Sequence, residues 1–139
     1  MTQSVTVRWS KNFQLVGFDE KGHSVVIDAE PPNGEGTGMR PMDLLLVSLG
    51  ACTAMDIVQG LKKFKQPLRG LEVKVSGERN ETPPRYFKRI HIHYIVHGQG
   101  VDKSILEKTI KESDELFCSV GATLKGKAEI TTSYEIVGE

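Results

Sequence analysis

The stretch "RPMDLLLVSLGACTAMDIVQGLKKFK", residues 40–65, is the most apolar part of the chain and decides the fold. Pro41 suits the first position of a helix, because a proline there gives up no intrahelical hydrogen bond. A cluster of lysines ahead of Pro67 complements the negative end of the helix dipole. We therefore predict one helix from about residue 41 to about residue 65.

Apolar residues cover nearly the whole circumference of this helix between Leu44 and Leu61. A helix that is apolar all round must be buried all round. A chain of 139 residues, of which 38% are hydrophobic, has little material to surround a helix of this length. Two copies that pack together supply the missing cover, so we predict a symmetric dimer.

Alternating or β-branched runs predict strands on both sides of the helix. Three strands fall within the first 29 residues, "LEVKVSGE" and "PRYFKRIHIHYIVHG" follow the helix, and "KAEITTSYEIVG" closes the chain. A second helix begins near Asp102, and "CSVGATLKG" forms a short helix or turn. The order is that of an α+β protein. We predict a single domain over residues 1–139, with an antiparallel sheet and a long, buried central helix.

Charge and length argue against several classes of function. Lys and Arg together number 18, as do Asp and Glu, so no net charge attracts nucleic acid or an anionic membrane. The longest uncharged run, Leu44 to Met55, has 12 residues, fewer than the roughly 20 that span a bilayer. The first residues lack the pattern of a signal peptide. We expect a soluble, cytoplasmic protein with no nucleic-acid partner and no membrane partner.

The two cysteines, Cys52 and Cys118, allow two interpretations. A reducing compartment disfavours a structural disulfide, so each cysteine is either a packing residue or a redox-active thiol. The small residues of "LGACTA" leave space for a ligand beside the first sulfur. The second sulfur opens "CSVGATLKG", near a helix N-terminus, where a thiolate is favoured.

The segment "GMRPMDLLLVSLGACTAMDIV" resembles the first-cysteine segment of the OsmC/Ohr family, named for osmotically inducible protein C and organic hydroperoxide resistance protein. "FCSVGATLKGKAEI" resembles the second-cysteine segment of that family, and the order of elements matches along nearly the whole chain. The resemblance implies an intertwined homodimer and a stress-response, thiol-dependent peroxidase for organic hydroperoxides. Cys52 would form a sulfenic acid, Cys118 would condense with it to a Cys52–Cys118 disulfide, and an external dithiol would reduce that disulfide.

The chain departs from the well-characterised peroxidases of that family at the charged residues beside the thiolate. Those proteins place glutamate after the helix-opening proline, where this chain has Met42 followed by Asp43, and residues 9–39 contain no arginine. The resemblance therefore points to the less characterised redox-protein branch. Arg8 and Arg40 are the nearest substitutes for the family arginine, and Arg40 is our candidate, with Asp43 as its orienting acid. Residue 42 lies roughly 15 Å along the helix from Cys52, so the pair would act on the sulfur of the partner chain.

Asp56 lies four residues after Cys52 and therefore on the same helix face. A carboxylate there disfavours a thiolate unless a cation accompanies it. We interpret Asp56 as a residue that pairs with the partner chain or caps a polar pocket.

Two further motifs are interpreted without a cofactor. "RIHIHYIVH" places Arg89, His91, His93 and His97 on one strand face, which supplies two metal ligands but no evident third, so we predict a solvated polar face. "GEGTG", residues 34–38, lacks the full spacing of a dinucleotide-binding loop and is predicted to be a mobile loop. We expect neither a metal nor another cofactor.

An alternative function stays open. In it the protein is a non-catalytic binding module that holds a small apolar ligand in a pocket at the dimer interface, and the cysteines only pack. The missing arginine–glutamate pair favours this alternative, whereas the retained cysteine pair favours an enzyme. We predict the hydroperoxide reductase.

Overall fold

The computed structural model describes residues 1–138. Three strands precede the long helix: β1 (Thr6–Lys11), β2 (Gln14–Phe18) and β3 (Ser24–Ile27). The elements from the long helix onward are α1 (Pro41–Lys63), β4 (Gly70–Arg79), β5 (Phe87–His97), α2 (Lys103–Glu112), a π-helical turn (Ser113–Phe117), α3 (Ser119–Leu124) and β6 (Glu129–Val137). The predicted α+β class and order of elements are confirmed. The chain divides into two compact units, residues 1–45 and 46–139, and the single domain stays a prediction.

The first unit contains an antiparallel sheet in the order β1-β2-β3. Asp28 follows this sheet and is only 2% exposed, so its carboxylate needs hydrogen-bond donors. Thr37 supplies its hydroxyl at 2.6 Å and its backbone N–H at 3.1 Å, and these hydrogen bonds help to lower the pKa of Asp28. A buried acid therefore anchors residues 34–38 at Thr37, and the mobility of this loop stays a prediction.

The second unit contains a sheet in the order β4-β5-β6. β4 runs antiparallel to β5, but β6 runs parallel to it, which differs from the wholly antiparallel sheet that we predicted. Two parallel strands need a long crossover between them. The segment that carries α2, the π-helical turn and α3 is that crossover, so both helices lie between the paired strands in sequence.

The core of the second unit follows the predicted patterns. Ile90, Ile92, Tyr94 and Val96 alternate along β5 and are at most 2% exposed. Three residues of α1 are completely buried: Leu49, Ile57 and Leu61. Helix and sheet approach closely at Gly50, where an added Cβ would lie 3.0 Å from Val75 of β4. The predicted long helix is thus confirmed as the element that packs on the sheet.

Not all of α1 is buried by its own chain. By length and composition alone this helix is apolar enough to cross a membrane. Of its apolar 18-residue stretch, 28% is buried. Val47 and Met55 keep 46% and 72% of their surface exposed. A core helix of a soluble protein passes the same test of composition, and the absence of a membrane partner stays a prediction.

A single glycine sets the approach of α1 to α2. An added Cβ at Gly60 would lie 2.4 Å from Thr109 Cγ2. Thr109 is β-branched and its hydroxyl donates to the Ile105 carbonyl at 2.8 Å, so it cannot easily turn away. We expect Gly60→Val to lower the free energy of unfolding by about 2 kcal/mol, measured by urea titration. Gln59→Val, at an exposed position of the same helix, should lower the free energy of unfolding by only about 0.3 kcal/mol. An equal loss of stability in both variants would contradict close packing at Gly60.

Candidate active site

The two cysteines meet in the second unit. Cys52 is half-buried in the middle of α1, and Cys118 is 5% exposed at the N-cap of α3. Both are free thiols, and Cys52 interacts with Cys118 through a side-chain hydrogen bond. Their spacing in sequence did not show this proximity. The fold therefore places an accessible sulfur beside a buried one.

Cys118 has the predicted position at a helix N-terminus but not the predicted ionisation. Its Sγ accepts the Gly121 N–H at 3.2 Å, which by itself lowers the pKa. Burial outweighs that hydrogen bond, and together with Cys52 and the charge of Asp56 it raises the pKa of Cys118 to about 11 from 9.0. The prediction of a favoured thiolate at Cys118 was wrong. At pH 7 this thiol is therefore protonated.

Asp56 connects α1 to the segment that carries the second cysteine. The hydroxyl of Ser113, a residue 1% exposed, donates to Asp56 Oδ2 at 2.7 Å. Asp56 also lines a cavity of about 220 Å³. The other residues around that cavity are Gln59, Gly60, Lys63, Phe64, Thr109, Glu112 and Phe117. This placement agrees with our interpretation of Asp56 as a residue that caps a polar pocket.

A buried hydroxyl pair lines a small cavity together with Cys118. The Tyr94 hydroxyl donates to Thr53 Oγ1 at 2.8 Å, and burial raises the pKa of Tyr94 to about 12. Both residues line a cavity of about 10 Å³ that Cys118 and Ser113 also line. This is about the space of one water molecule. The phenol therefore stays protonated and acts as a hydrogen-bond donor beside the cysteines.

Sequence reasoning missed Thr53, Tyr94 and Ser113. A usable signal existed for the first two, because Thr53 adjoins Cys52 and a tyrosine on the buried face of a strand needs a partner for its hydroxyl. No such signal existed for Ser113. Its contact with Asp56 spans 57 positions in sequence and depends on how the π-helical turn winds.

The two predicted charged residues pair with each other in the first unit. Arg40 Nε donates to Asp43 Oδ2 at 2.9 Å, and Nη2 donates to Oδ1 at 3.4 Å. The hydrogen bonds and the charge of Asp43 raise the pKa of Arg40 further above its ordinary value. Asp43 thus orients the guanidinium, and the roles of both residues in a site stay predictions. The approach of this pair to a sulfur stays a prediction.

The histidines of β5 contact hydroxyls of the neighbouring strand. His91 has its Nδ1 2.7 Å from Thr131 Oγ1 and its Nε2 2.7 Å from Ser133 Oγ. His93 Nδ1 lies 2.7 Å from the same serine oxygen. Among residues 1–138, no group of three or more His, Cys, Asp and Glu side chains is arranged to hold a metal. The polar face of the sheet thus carries a row of side-chain hydrogen bonds between β5 and β6.

Cys118 makes the stability of the protein depend on pH. Its pKa in the folded protein, about 11, exceeds the ordinary value of 9.0, so the protonated thiol stabilises the fold. That contribution is complete below about pH 9 and is lost as the pH rises through about 11. We expect the free energy of unfolding, from urea titrations with reductant, to fall over this interval. The Cys118→Ser variant lacks this thiol, so its free energy of unfolding should fall less steeply over the same interval. Equal slopes in the two proteins would contradict the prediction.

Comparison with known proteins found a matching family model and similar proteins. A family model described as OsmC-like protein matches residues 34–133. The chain is 34% identical to Protein YhfA of Escherichia coli (strain K12) over 131 residues, which cover 94% of this chain and 96% of that protein. The structure of a hypothetical protein from Aquifex aeolicus VF5 shares 28% identity and a TM-score of 0.88, and covers 100% of this chain and 98% of that one.

A more distant match shows the fold alone. The organic hydroperoxide resistance protein OhrB of Bacillus subtilis is 19% identical, with a TM-score of 0.64, over 97% of this chain and 98% of that one. The matched region 34–133 contains both cysteines and the elements that bring them together. On the family match and the identity to Protein YhfA, the chain belongs to the OsmC-like protein family.

Proposed function

We propose that this protein is a thiol-dependent peroxidase that reduces organic hydroperoxides through Cys52 and Cys118. Membership of the OsmC/Ohr family suggests a redox or peroxidase role. The observation that carries the proposal is the contact between a half-exposed thiol on α1 and a buried thiol at the start of α3. Two packing cysteines need no such contact, whereas a peroxidatic and a resolving cysteine require it.

The environments of the two thiols support different roles for them. Because the pKa of Cys118 is raised to about 11, this buried thiol is a poor first nucleophile at neutral pH. Cys52 is the more exposed sulfur and can be reached by a substrate. Cys52 is therefore the peroxidatic residue and Cys118 the resolving residue.

The reaction consumes one hydroperoxide and two thiols. The Cys52 sulfur attacks the terminal peroxide oxygen, an S–O bond forms as the O–O bond breaks, and the alkoxide leaves as an alcohol with the thiol proton. The Cys118 sulfur then attacks Cys52, an S–S bond forms as the S–O bond breaks, and water leaves. An external dithiol exchanges with the disulfide, is itself oxidised, and restores both thiols.

Two aromatic side chains in the cavity that Asp56 caps favour a bulky substrate. Phe64 and Phe117 line the cavity of about 220 Å³, and Phe117 directly precedes Cys118. Apolar and aromatic walls bind an alkyl or aryl group better than they bind hydrogen peroxide. The proposed substrate class is therefore an organic hydroperoxide, reduced in the cytoplasm.

A second copy of the chain is part of the proposal. Large apolar side chains remain exposed in both units, and apolar surface suits an interface with another chain. The most exposed of them, beyond the first residue, are Val5, Val7, Trp9, Phe13, Met55, Leu116 and Phe117. A symmetric homodimer covers such surfaces with the same surfaces of its partner. In that dimer the site combines the cysteines of one chain with Arg40 and Asp43 of the other.

One assay tests the proposal. The reduced protein receives one equivalent of cumene hydroperoxide, and free thiols are counted while the chain is weighed by mass spectrometry. The expected result is the loss of both thiols, one intrachain disulfide and one equivalent of cumyl alcohol. Unchanged thiols together with saturable binding of cumyl alcohol would overturn the peroxidase and favour the apolar binding module.

A further inference from the structure

Ser113 forms hydrogen bonds with both cysteine-bearing segments. Its hydroxyl donates to Asp56 on α1, one turn after Cys52, at 2.7 Å. Its backbone carbonyl accepts the N–H of Cys118 at 2.8 Å, which closes the π-helical turn. Ser113 is 1% exposed, so water does not replace either contact. One buried residue therefore connects the helix of the first sulfur to the backbone of the second.

The π-helical turn explains why this connection matters. Such turns are rare and are frequently found at functional sites. Here the turn ends at Cys118, which has left the helical conformation and become the N-cap of α3. The position of the second sulfur thus depends on how the turn is held, and the Asp56–Ser113 hydrogen bond holds its first residue.

We infer that Asp56 and Ser113 are a positioning pair that keeps Cys118 against Cys52 and thereby sets both the rate and the equilibrium of disulfide formation. The inference rests on the proposed function for its biological meaning. Neither residue reacts: the pair acts only through the placement of the two sulfurs. Holding two reacting groups together raises their effective concentration, and a misplacement of about 1 Å can cost a hundredfold in rate.

Asp56 contributes charge as well as a hydrogen bond, and the two effects can be separated. Its carboxylate raises the pKa of Cys118, as does Cys52 from the same helix. Tyr94 of β5 and Asp114 of the π-helical turn line the same small cavity as Cys118. Asp56→Asn keeps an acceptor oxygen for Ser113 but removes the charge. Ser113→Ala keeps the charge but removes the hydrogen bond.

The kinetic test measures the second step of the reaction. Reduced protein is mixed with one equivalent of cumene hydroperoxide, and the Cys52 sulfenic acid is trapped with dimedone at increasing times. Ser113→Ala is expected to form the disulfide at least ~10-fold more slowly with an unchanged first step. Asp56→Asn should keep most of the rate and move its pH profile toward lower pH. Ser119→Ala, an exposed neighbour of Cys118, is the control and should match the parent.

The equilibrium test does not depend on peroxidase activity. The fraction of intrachain disulfide is measured at pH 7 in glutathione buffers of varied ratio. Ser113→Ala and Asp56→Ala, which break the same hydrogen bond from opposite sides, should each shift this equilibrium at least ~10-fold toward the thiols. A parental equilibrium in either folded variant overturns the inference. Failure of the parent to consume hydroperoxide would overturn only the proposed function.

Discussion

Replacement of Cys52 by serine is expected to abolish hydroperoxide consumption while the protein stays folded. Serine is nearly isosteric with cysteine, and the half-buried position beside the Cys118 thiol tolerates a hydroxyl. A serine hydroxyl does not become the sulfenic acid on which the reaction depends. Turnover of cumene hydroperoxide with an excess of dithiol should fall to background. Circular dichroism and the urea midpoint serve as the control for folding.

Replacement of Cys118 by serine is expected to have a different result. The first step needs only Cys52, so one equivalent of hydroperoxide per chain should be consumed in a burst. Turnover should then stall with the chain as a sulfenic acid, seen as one added oxygen by mass, or as an intermolecular disulfide. If both serine variants turned over at the rate of the parent, the cysteines would have no part in the mechanism.

The difference between these variants was predictable in part from the sequence. The two cysteines and their surrounding segments identified the residues, and the apolar run after Pro41 identified the helix that carries Cys52. These features are local, and local patterns determine where helices and strands begin. The contact between the sulfurs depends on how α1 packs against the segment before α3, a non-local property that no spacing of residues reveals.

Two errors have the same origin. The sequence places Cys118 at a helix N-terminus, which favours a thiolate, but it does not say how deeply the sulfur is buried, and burial reverses the sign of the pKa shift. The alternating pattern of β6 predicts a strand but not the direction of its neighbour, and the strand pairs parallel to β5. In both cases the missing information concerns long-range packing.

Replacement of Arg40 by alanine is expected to slow the alkylation of Cys52 by iodoacetamide about tenfold at pH 7. Asp43 holds the guanidinium in a two-point contact, so the cation is already oriented. A neighbouring cation favours a thiolate, and its removal should move the midpoint of the alkylation profile to higher pH. Arg8→Ala is the comparison, because Arg8 is the other substitute considered for this role and stacks on Phe18 in the first unit. It should leave the profile unchanged.

Mixed dimers decide which chain supplies Arg40. Chains that carry Arg40→Ala are refolded together with chains that carry Cys52→Ser, so that a mixed dimer has one reactive Cys52. If the site combines both chains, that sulfur faces the intact Arg40 of its partner and should be alkylated at the parental rate. If Arg40 acted within its own chain, the same sulfur would react at the slow rate of the Arg40→Ala homodimer. Light scattering that shows a stable, folded monomer near 15.4 kDa would rule out both the dimer and the site shared between its chains.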